Sequence, residues 1–217
     1  MKNNSFVEGM TMPKTLSQYV YTHLKDAIIN NELQAKERID EKVITERFQI
    51  SRTPIREAIN RLAGEGFITI DQHRDAHVRE LTLPEREEII QVLGLLDGHA
   101  MAHILDHLRP ADLAAVEKMT AKLEKYLQEG NPKKFYMTNF AIHEKLWSLL
   151  PKGFLRKTLT IGASHIQRYC MNPDLPRSQE EILKHSFRHH QLLVDGLKKR
   201  EPKSYASLMR RHWSSSF

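Results

Sequence analysis

The chain has 217 residues, of which 40% are hydrophobic and 28% charged, the balance of a folded globular protein. No stretch approaches the roughly 20 apolar residues that cross a bilayer, and the N-terminus lacks the apolar core of a secretory signal. The single cysteine, Cys170, cannot form an internal disulfide, so a reducing cytoplasm is the expected compartment. Residues 1–80 carry twelve basic and twelve acidic side chains, so the net charge of +6 arises entirely after them.

Residues 14–31 have the apolar spacing of a half-buried helix, carried by Leu16, Tyr19, Val20, Leu24, Ala27 and Ile28. Asp40 is a candidate N-cap for a short second helix with Val43, Ile44 and Phe48 on its inner face, and the chain then breaks at residues 49–50.

A third helix is expected to begin at Ser51 or Thr53, with Pro54 in its first turn, and to end at Gly64 and Gly66. Residues 67–70 and 77–81 are predicted strands around a polar turn. Three helices and a hairpin make a winged helix-turn-helix, although the pattern alone is also compatible with a generic small α+β unit.

Helical patterns then fill residues 85–107, 111–129, 132–150, 154–171, 178–199 and 202–213, separated by breaks at Pro110, Pro132, Pro151, Pro173, Pro176 and Pro202. Short connections of this kind indicate an antiparallel helical bundle. The expected organisation is a flexible leader over 1–12, a winged helix-turn-helix over 13–80, a linker over 81–84 and a helical domain over 85–217.

The stretch SRTPIREAINRLAGEGFI at residues 51–68 resembles the recognition region of the GntR superfamily of transcription regulators. The second half resembles the FCD ligand-binding domain of the FadR-like branch, and its six predicted helices suggest the shorter, VanR-like variety. The resemblance implies a mostly helical protein in which a winged helix-turn-helix precedes a domain that dimerises and binds an effector.

Arg52 lies at the start of the third helix and Arg56 lies one turn later on the same face. Arginine reads guanine through a two-pronged contact to O6 and N7, and Ser51 and Thr53 can donate to phosphate at a helix N-terminus. By resemblance, Arg52, Thr53 and Arg56 occupy the DNA-contact positions of the family, and Lys42 falls where relatives often carry an arginine. Without the resemblance, Arg56 would equally suit a local pair with Glu57 or Asn60.

The predicted wing departs from the family pattern, because no glycine stands at its tip in residues 72–77. Arg74 is the candidate phosphate contact there, whereas Asp75 would repel phosphate.

Asn139 and His143 lie four residues apart on one helix face, and His190 and His212 lie on two later helices. By resemblance, these four residues are the metal ligands of the domain, and imidazole donors favour zinc or nickel. Asn139 replaces the commoner aspartate, which removes one negative charge from the site. Since His189 stands beside His190, either could be the ligand.

Many relatives carry an effector-binding arginine where this chain has Leu93, and Arg168 is the candidate substitute, with a surface ion pair as the alternative. The expected function is a homodimeric repressor that binds a double-stranded operator and releases it in response to a small organic acid bound near the metal. The alternatives are a metal-dependent hydrolase, which would need a base that the sequence does not place beside the histidines, and a DNA-binding protein whose metal is purely structural.

Overall fold

The computed structural model describes residues 15–172, 179–200 and 202–215, and the chain divides into two compact units with the boundary between Glu80 and Leu81. The leader expected over residues 1–12 and the breaks expected at Pro173 and Pro176 lie outside the described residues. None of the helices in the described ranges is long and apolar enough to cross a membrane.

The first unit contains the predicted helices and wing, and adds one short strand. Its elements are α1 Leu16–Ile29, β1 Arg38–Ile39, α2 Glu41–Phe48, α3 Arg52–Gly64, β2 Ile68–Ile70 and β3 Ala76–Val78. The strands form an antiparallel sheet in the order β1-β3-β2, with Arg38 opposite His77 and Ile68 opposite Val78. The wing is therefore a three-stranded sheet and not a hairpin of two strands. The sequence pattern did not predict β1, because two residues are too few to show an alternation of polar and apolar side chains.

Helix α1 packs against α3, and fully buried side chains such as Ile28, Ile55 and Leu62 form the core between them. Asp40 caps α2 as expected, because its carboxylate accepts from the backbone N–H groups of Lys42 and Val43. Val43 itself is 57% exposed and Leu16 is 56% exposed, so the inner faces predicted for their helices were wrong at these positions. Ser51 occupies the cap position of α3, but its side chain makes no capping hydrogen bond.

The second unit is helical throughout the part that the structure describes. Its elements are α4 Leu83–His107, α5 Pro110–Gln128, α6 Pro132–Trp147, α7 Phe154–Cys170, α8 Gln179–Lys199 and α9 Pro202–Ser215. Thr82 and Glu85 form a capping box around the first turn of α4, so this helix begins inside the segment expected to be linker. α6 ends at Trp147, three residues earlier than the pattern predicted.

Helices α4 and α9 approach each other unusually closely along two glycines of α4. A Cβ atom added at Gly98 would lie 3.0 Å from the Cα atom of Ala206, and one added at Gly94 would lie 3.1 Å from the Cα atom of Arg210. The backbone of α9 therefore occupies the space that any larger side chain would need. This contact brings the last turns of α9 against the middle of α4.

Candidate functional site

The side chains expected to contact DNA are exposed at the start of α3. Ser51, Arg52, Thr53 and Arg56 all face solvent, while Ile55 of the same helix is fully buried. One face of α3 is therefore buried in the core, and the N-terminal part of its other face is exposed to solvent, as a recognition helix requires.

Arg56 is held by Glu41 at the start of α2 and not by Glu57 or Asn60. Its Nε donates to both carboxylate oxygens of Glu41, at 3.2 and 3.1 Å. Because Nε makes these hydrogen bonds, the two terminal nitrogens are not used to bind Glu41. These are the atoms that form a two-pronged contact with guanine O6 and N7.

Arg56 lines a cleft of about 260 Å³ between α2, α3 and the wing. Arg74 lies on the opposite wall, and Glu41 and Asn60 complete its polar lining. Lys42 is exposed at the first turn of α2, and its Nζ lies 3.9 Å from the carboxylate of Glu46. Of the basic side chains chosen from the sequence, Arg56 and Arg74 therefore line one cleft, and Lys42 and Arg52 are exposed.

The wing turn forms without a glycine because Asp71 organises it. The Asp71 carboxylate accepts from the backbone N–H groups of His73 and Asp75, and Arg74 adopts a positive φ of 65°. Arg38 donates to the Asp75 carboxylate at 2.7 Å. This ion pair offsets the negative charge that the sequence placed at the wing, so the expected repulsion of phosphate is reduced.

In the second unit, the structure brings together three histidines from three helices. His143 of α6, His190 of α8 and His212 of α9 are at most 1% exposed, and one nitrogen from each lies within 4.8 Å of the others. The Nε2 atoms of His143 and His212 are 3.0 Å apart. The convergence expected from the sequence is thus present in the described residues.

The hydrogen bonds of two rings fix which nitrogen carries the proton. His143 Nδ1 donates to the Asp97 carboxylate at 3.1 Å, and His190 Nδ1 donates to the carbonyl oxygen of Ser186 at 2.9 Å. Their Nε2 atoms are therefore lone-pair acceptors on the side that faces the cluster. The His190 Nε2 atom is buried with no hydrogen-bond partner among the described residues.

Burial keeps the rings of His190 and His212 neutral. It lowers the pKa of His190 to about 3, with the neighbouring His143 adding to the effect. Burial also lowers the pKa of His212 well below its ordinary value, and His190 and His143 contribute in the same direction. Neutral imidazoles at pH 7 are the form that binds a metal ion.

Asn139 lies on the same helix as His143 and is fully buried. Its Oδ1 accepts from the Ser186 hydroxyl at 3.1 Å, while its Nδ2 has no partner among the described residues. His189, the rival of His190, is 9% exposed, and its ring centroid lies 5.8 Å from that of His212. The group of three converging nitrogens includes His190 and not His189.

Arg168 is 7% exposed on α7, so the surface position considered for it from the sequence is wrong. Leu93 is 1% exposed and its Cδ2 atom would lie 3.1 Å from a Cβ added at Gly162 of α7. An arginine at position 93 would need the space that this packing fills. Leucine at that position therefore belongs to the core between α4 and α7.

Asp97, the carboxylate behind His143, was not among the functional residues predicted from the sequence. Asp97 is 1% exposed and accepts three hydrogen bonds, from Trp147 Nε1 at 2.7 Å, Trp213 Nε1 at 2.9 Å and His143 Nδ1 at 3.1 Å. An acidic residue inside an otherwise apolar helix face was the available signal, since a buried carboxylate requires partners.

Comparison with known families agrees with the arrangement of the two units. Residues 16–78 match the model for bacterial regulatory proteins of the gntR family, and residues 88–215 match the FCD domain. The chain belongs to the GntR family of transcriptional regulators that carry an FCD domain. It is a regulator and not an enzyme, so the hydrolase alternative is wrong.

Individual relatives agree with this assignment. The chain is 25% identical to the HTH-type transcriptional regulator YdhC of Bacillus subtilis over 197 residues, which is 89% of this chain and 86% of YdhC. It is 26% identical to the HTH-type regulator McbR of Escherichia coli over 58% of this chain and 57% of McbR. The solved structure of E. coli McbR/YncC has the same fold, with a TM-score of 0.77 at 20% identity over 93% of this chain and 95% of McbR.

Proposed function

We propose that this regulator is a homodimeric, cytoplasmic repressor whose operator affinity falls when a small organic acid binds beside a divalent metal in the helical unit. The observation that carries the proposal is the convergence of three buried imidazoles, one of which has an Nε2 atom without a hydrogen-bond partner among the described residues. A buried acceptor without a partner costs about 1–3 kcal/mol, and a bound cation would remove that cost.

The residues present fit a transition-metal ion. His143, His190 and His212 would hold it through Nε2, and the amide oxygen of Asn139 is the candidate fourth donor once it releases Ser186. Three nitrogen donors and a neutral oxygen favour zinc or nickel over the hard cations that prefer carboxylates. When bound, the ion would supply open coordination positions for an anionic ligand.

The effector is proposed to be a carboxylate because such a ligand can bind a cation held only by neutral donors. Arg168 remains the candidate partner for its second charge, since this guanidinium is buried on α7, within the same bundle. An effector lowers operator affinity only if it binds the DNA-incompetent state more tightly, and couplings of about 1–3 kcal/mol are typical.

DNA recognition is proposed to use the cleft between α2, α3 and the wing. Arg52 and Arg56 would read base edges, while Ser51, Thr53, Lys42 and Arg74 would contact phosphates. These side chains lie on one exposed face of the first unit, and the Glu41 carboxylate already orients Arg56. Two copies on a pseudo-palindromic operator would supply the specificity that one reading helix lacks.

The decisive experiment measures metal content and effector response together. Elemental analysis of the parent should give about one zinc or nickel ion per chain, and His190→Gln should lose most of it. A panel of mono-, di- and tricarboxylates should raise the melting temperature of the metal-loaded parent and lower its operator affinity. Equal metal in parent and variant would refute the metal centre, and a panel without effect in the parent would refute the carboxylate effector.

A purely structural metal is the second candidate, favoured by the complete burial of the three rings. Chelation distinguishes the two functions. If removing the metal unfolds the helical unit, the metal is structural; if the unit stays folded and only the carboxylate response disappears, the metal belongs to the sensor.

A further inference from the structure

Asp97 is a buried carboxylate placed directly behind one of the three converging histidines. It lies on α4, and its donors come from two other helices: Trp147 and His143 from α6, and Trp213 from α9. The two indole N–H groups can only donate, so they occupy one lone pair on each carboxylate oxygen. The carboxylate is therefore fixed in one orientation, with Oδ2 directed at His143 Nδ1.

We propose that Asp97 is the positioning residue of the metal centre and provides the negative charge that Asn139 does not. Its hydrogen bond holds the proton of His143 on Nδ1, so that the Nε2 lone pair faces His190 and His212. The inference rests on the proposed metal site. It adds that the Asp97 carboxylate acts on the cation through the imidazole ring of His143 and does not bind the cation directly.

The charges of the four candidate donors support this role. Three neutral rings and one amide leave a divalent cation with no anionic donor, which is costly in a buried environment. A carboxylate hydrogen-bonded to a ligating histidine raises the basicity of the ring and orients it, and losing such a partner typically weakens metal binding about 10–100-fold. Among the described residues, Asp97 is the carboxylate that accepts a hydrogen bond from one of the three rings, that of His143.

The competing explanation is that Asp97 only ties α4 to α6 and α9 through the tryptophans. That role predicts a loss of stability when the carboxylate is changed, but no selective effect on metal affinity or on the tautomer of His143. The two explanations therefore differ in measurements that do not depend on the stability of the fold.

Asp97→Asn is the informative variant because the amide keeps the shape of the side chain. Its single oxygen can accept from the groups on one side only, so one indole N–H loses its acceptor, and the negative charge beside His143 is lost in either orientation of the amide. The matched control is Asp112→Asn, which removes another buried carboxylate of the same unit, one bonded to Arg109 and Lys145. Both changes remove one buried charge, and only the first touches a histidine of the cluster.

The experiment titrates full-length, metal-free protein with Zn²⁺ alone, and then Ni²⁺ alone, against a competing chelator. Asp97→Asn should weaken binding about 10–100-fold, whereas Asp112→Asn should match the parent. In metal-free protein, ¹⁵N NMR of the imidazoles should show His143 protonated on Nδ1 in the parent and less fully so in Asp97→Asn, where a neutral amide replaces the carboxylate. Adding Asn139→Asp to Asp97→Asn should restore most of the affinity, because it returns one negative charge to the site.

Parent-like affinity in Asp97→Asn, or an equal loss in Asp112→Asn, would overturn the inference, as would a parent in which His143 carries its proton on Nε2. A parent that binds neither ion would instead refute the proposed metal centre, with the NMR experiment still reporting whether Asp97 sets the tautomer. If Asp97→Asn fails to fold, the double variant with Asn139→Asp and the conservative Asp97→Glu variant provide the same comparison.

Discussion

Arg52 and Lys42 differ in what each would contact, and this difference can be measured. Arg52 stands at the first turn of α3, where a side chain reaches base edges, and Lys42 stands at the first turn of α2. Arg52→Ala should cost about 1–3 kcal/mol of operator affinity per subunit and spare non-specific binding. Lys42→Ala should weaken all duplexes alike and flatten the salt dependence. Titration of operator and random duplexes at several salt concentrations tests both, and a parent-like Arg52→Ala would refute the reading helix.

Glu41 influences the specificity of Arg56 more than it stabilises the fold. An ion pair this exposed contributes at most about 1 kcal/mol, but it restrains Arg56 through Nε and leaves the terminal nitrogens available for guanine. Glu41→Gln should strengthen binding to random duplexes by removing a negative charge, while the ratio of operator to random affinity falls several-fold. Glu46→Gln on the same helix removes an equal charge beside Lys42 and should leave that ratio unchanged. Equal ratios in the two variants would contradict the role of Glu41.

At the scale of single residues, the sequence predicted those whose position follows from local spacing or from a family motif. The cap at Asp40 could be predicted because a cap acts on the next turn of the chain. The three converging histidines, His143, His190 and His212, could be predicted because the family motif identifies them. Asp97 was not predicted because its contacts with His143 and Trp213 join residues 46 and 116 positions apart in the chain. Glu41 was missed for the same reason, since Arg56 lies fifteen residues away.

At the scale of elements, periodicity and proline breaks located the long helices, while their contacts depended on packing that no pattern reveals. The α4–α9 contact illustrates this, because Gly98 looks like a weak point within a helix and is instead the place where the Ala206 backbone approaches.

Gly98→Ser should destabilise the helical unit by about 1–3 kcal/mol through overpacking. Gly153→Ser, at the N-cap of α7, should be neutral or slightly stabilising, since nothing lies nearer than 4.0 Å. Urea unfolding measures both, and equal effects would contradict the close approach.

Helices α8 and α9 contribute histidines whose pKa is lowered in the folded state, so the stability of this unit should depend on pH. An unfolded histidine titrates near pH 6.5, whereas burial lowers the pKa of His190 to about 3 and that of His189 to about 4. Above pH 6.5 neither state binds the proton. Below it the unfolded chain does, so the free energy of unfolding falls by about 1.4 kcal/mol per ring and pH unit down to roughly pH 4.

Fluorescence of the two tryptophans, both in this unit, reports the unfolding of metal-free protein between pH 7.5 and 4.5. His190→Gln should reduce the pH dependence by about one proton, and His103→Gln, at an exposed position of α4, should leave it unchanged. A pH-independent parent would show that the rings are not held neutral.

At the scale of the whole molecule, the order of the two units followed from the sequence, because each carries its own motif. The family models match residues 16–78 and 88–215 in that order. The connection was predicted about two residues too late, since β3 ends at Val78 and α4 already begins at Leu83. The capping box of Thr82 and Glu85 explains the early start, because it satisfies backbone groups that would otherwise remain unpaired.

The proposed homodimer makes a quantitative prediction for mixtures of subunits. If both copies must read their half-sites, a dimer with one Arg52→Ala, Arg56→Ala subunit loses about half of the base contacts, and with them most of the specific affinity. Parent protein mixed with an excess of this double variant, after subunit exchange, should therefore bind operator as the square of the parent fraction. Parent diluted to the same concentration with buffer is the control. Binding proportional to the parent fraction itself, together with a monomer in sedimentation at micromolar concentration, would refute the dimer.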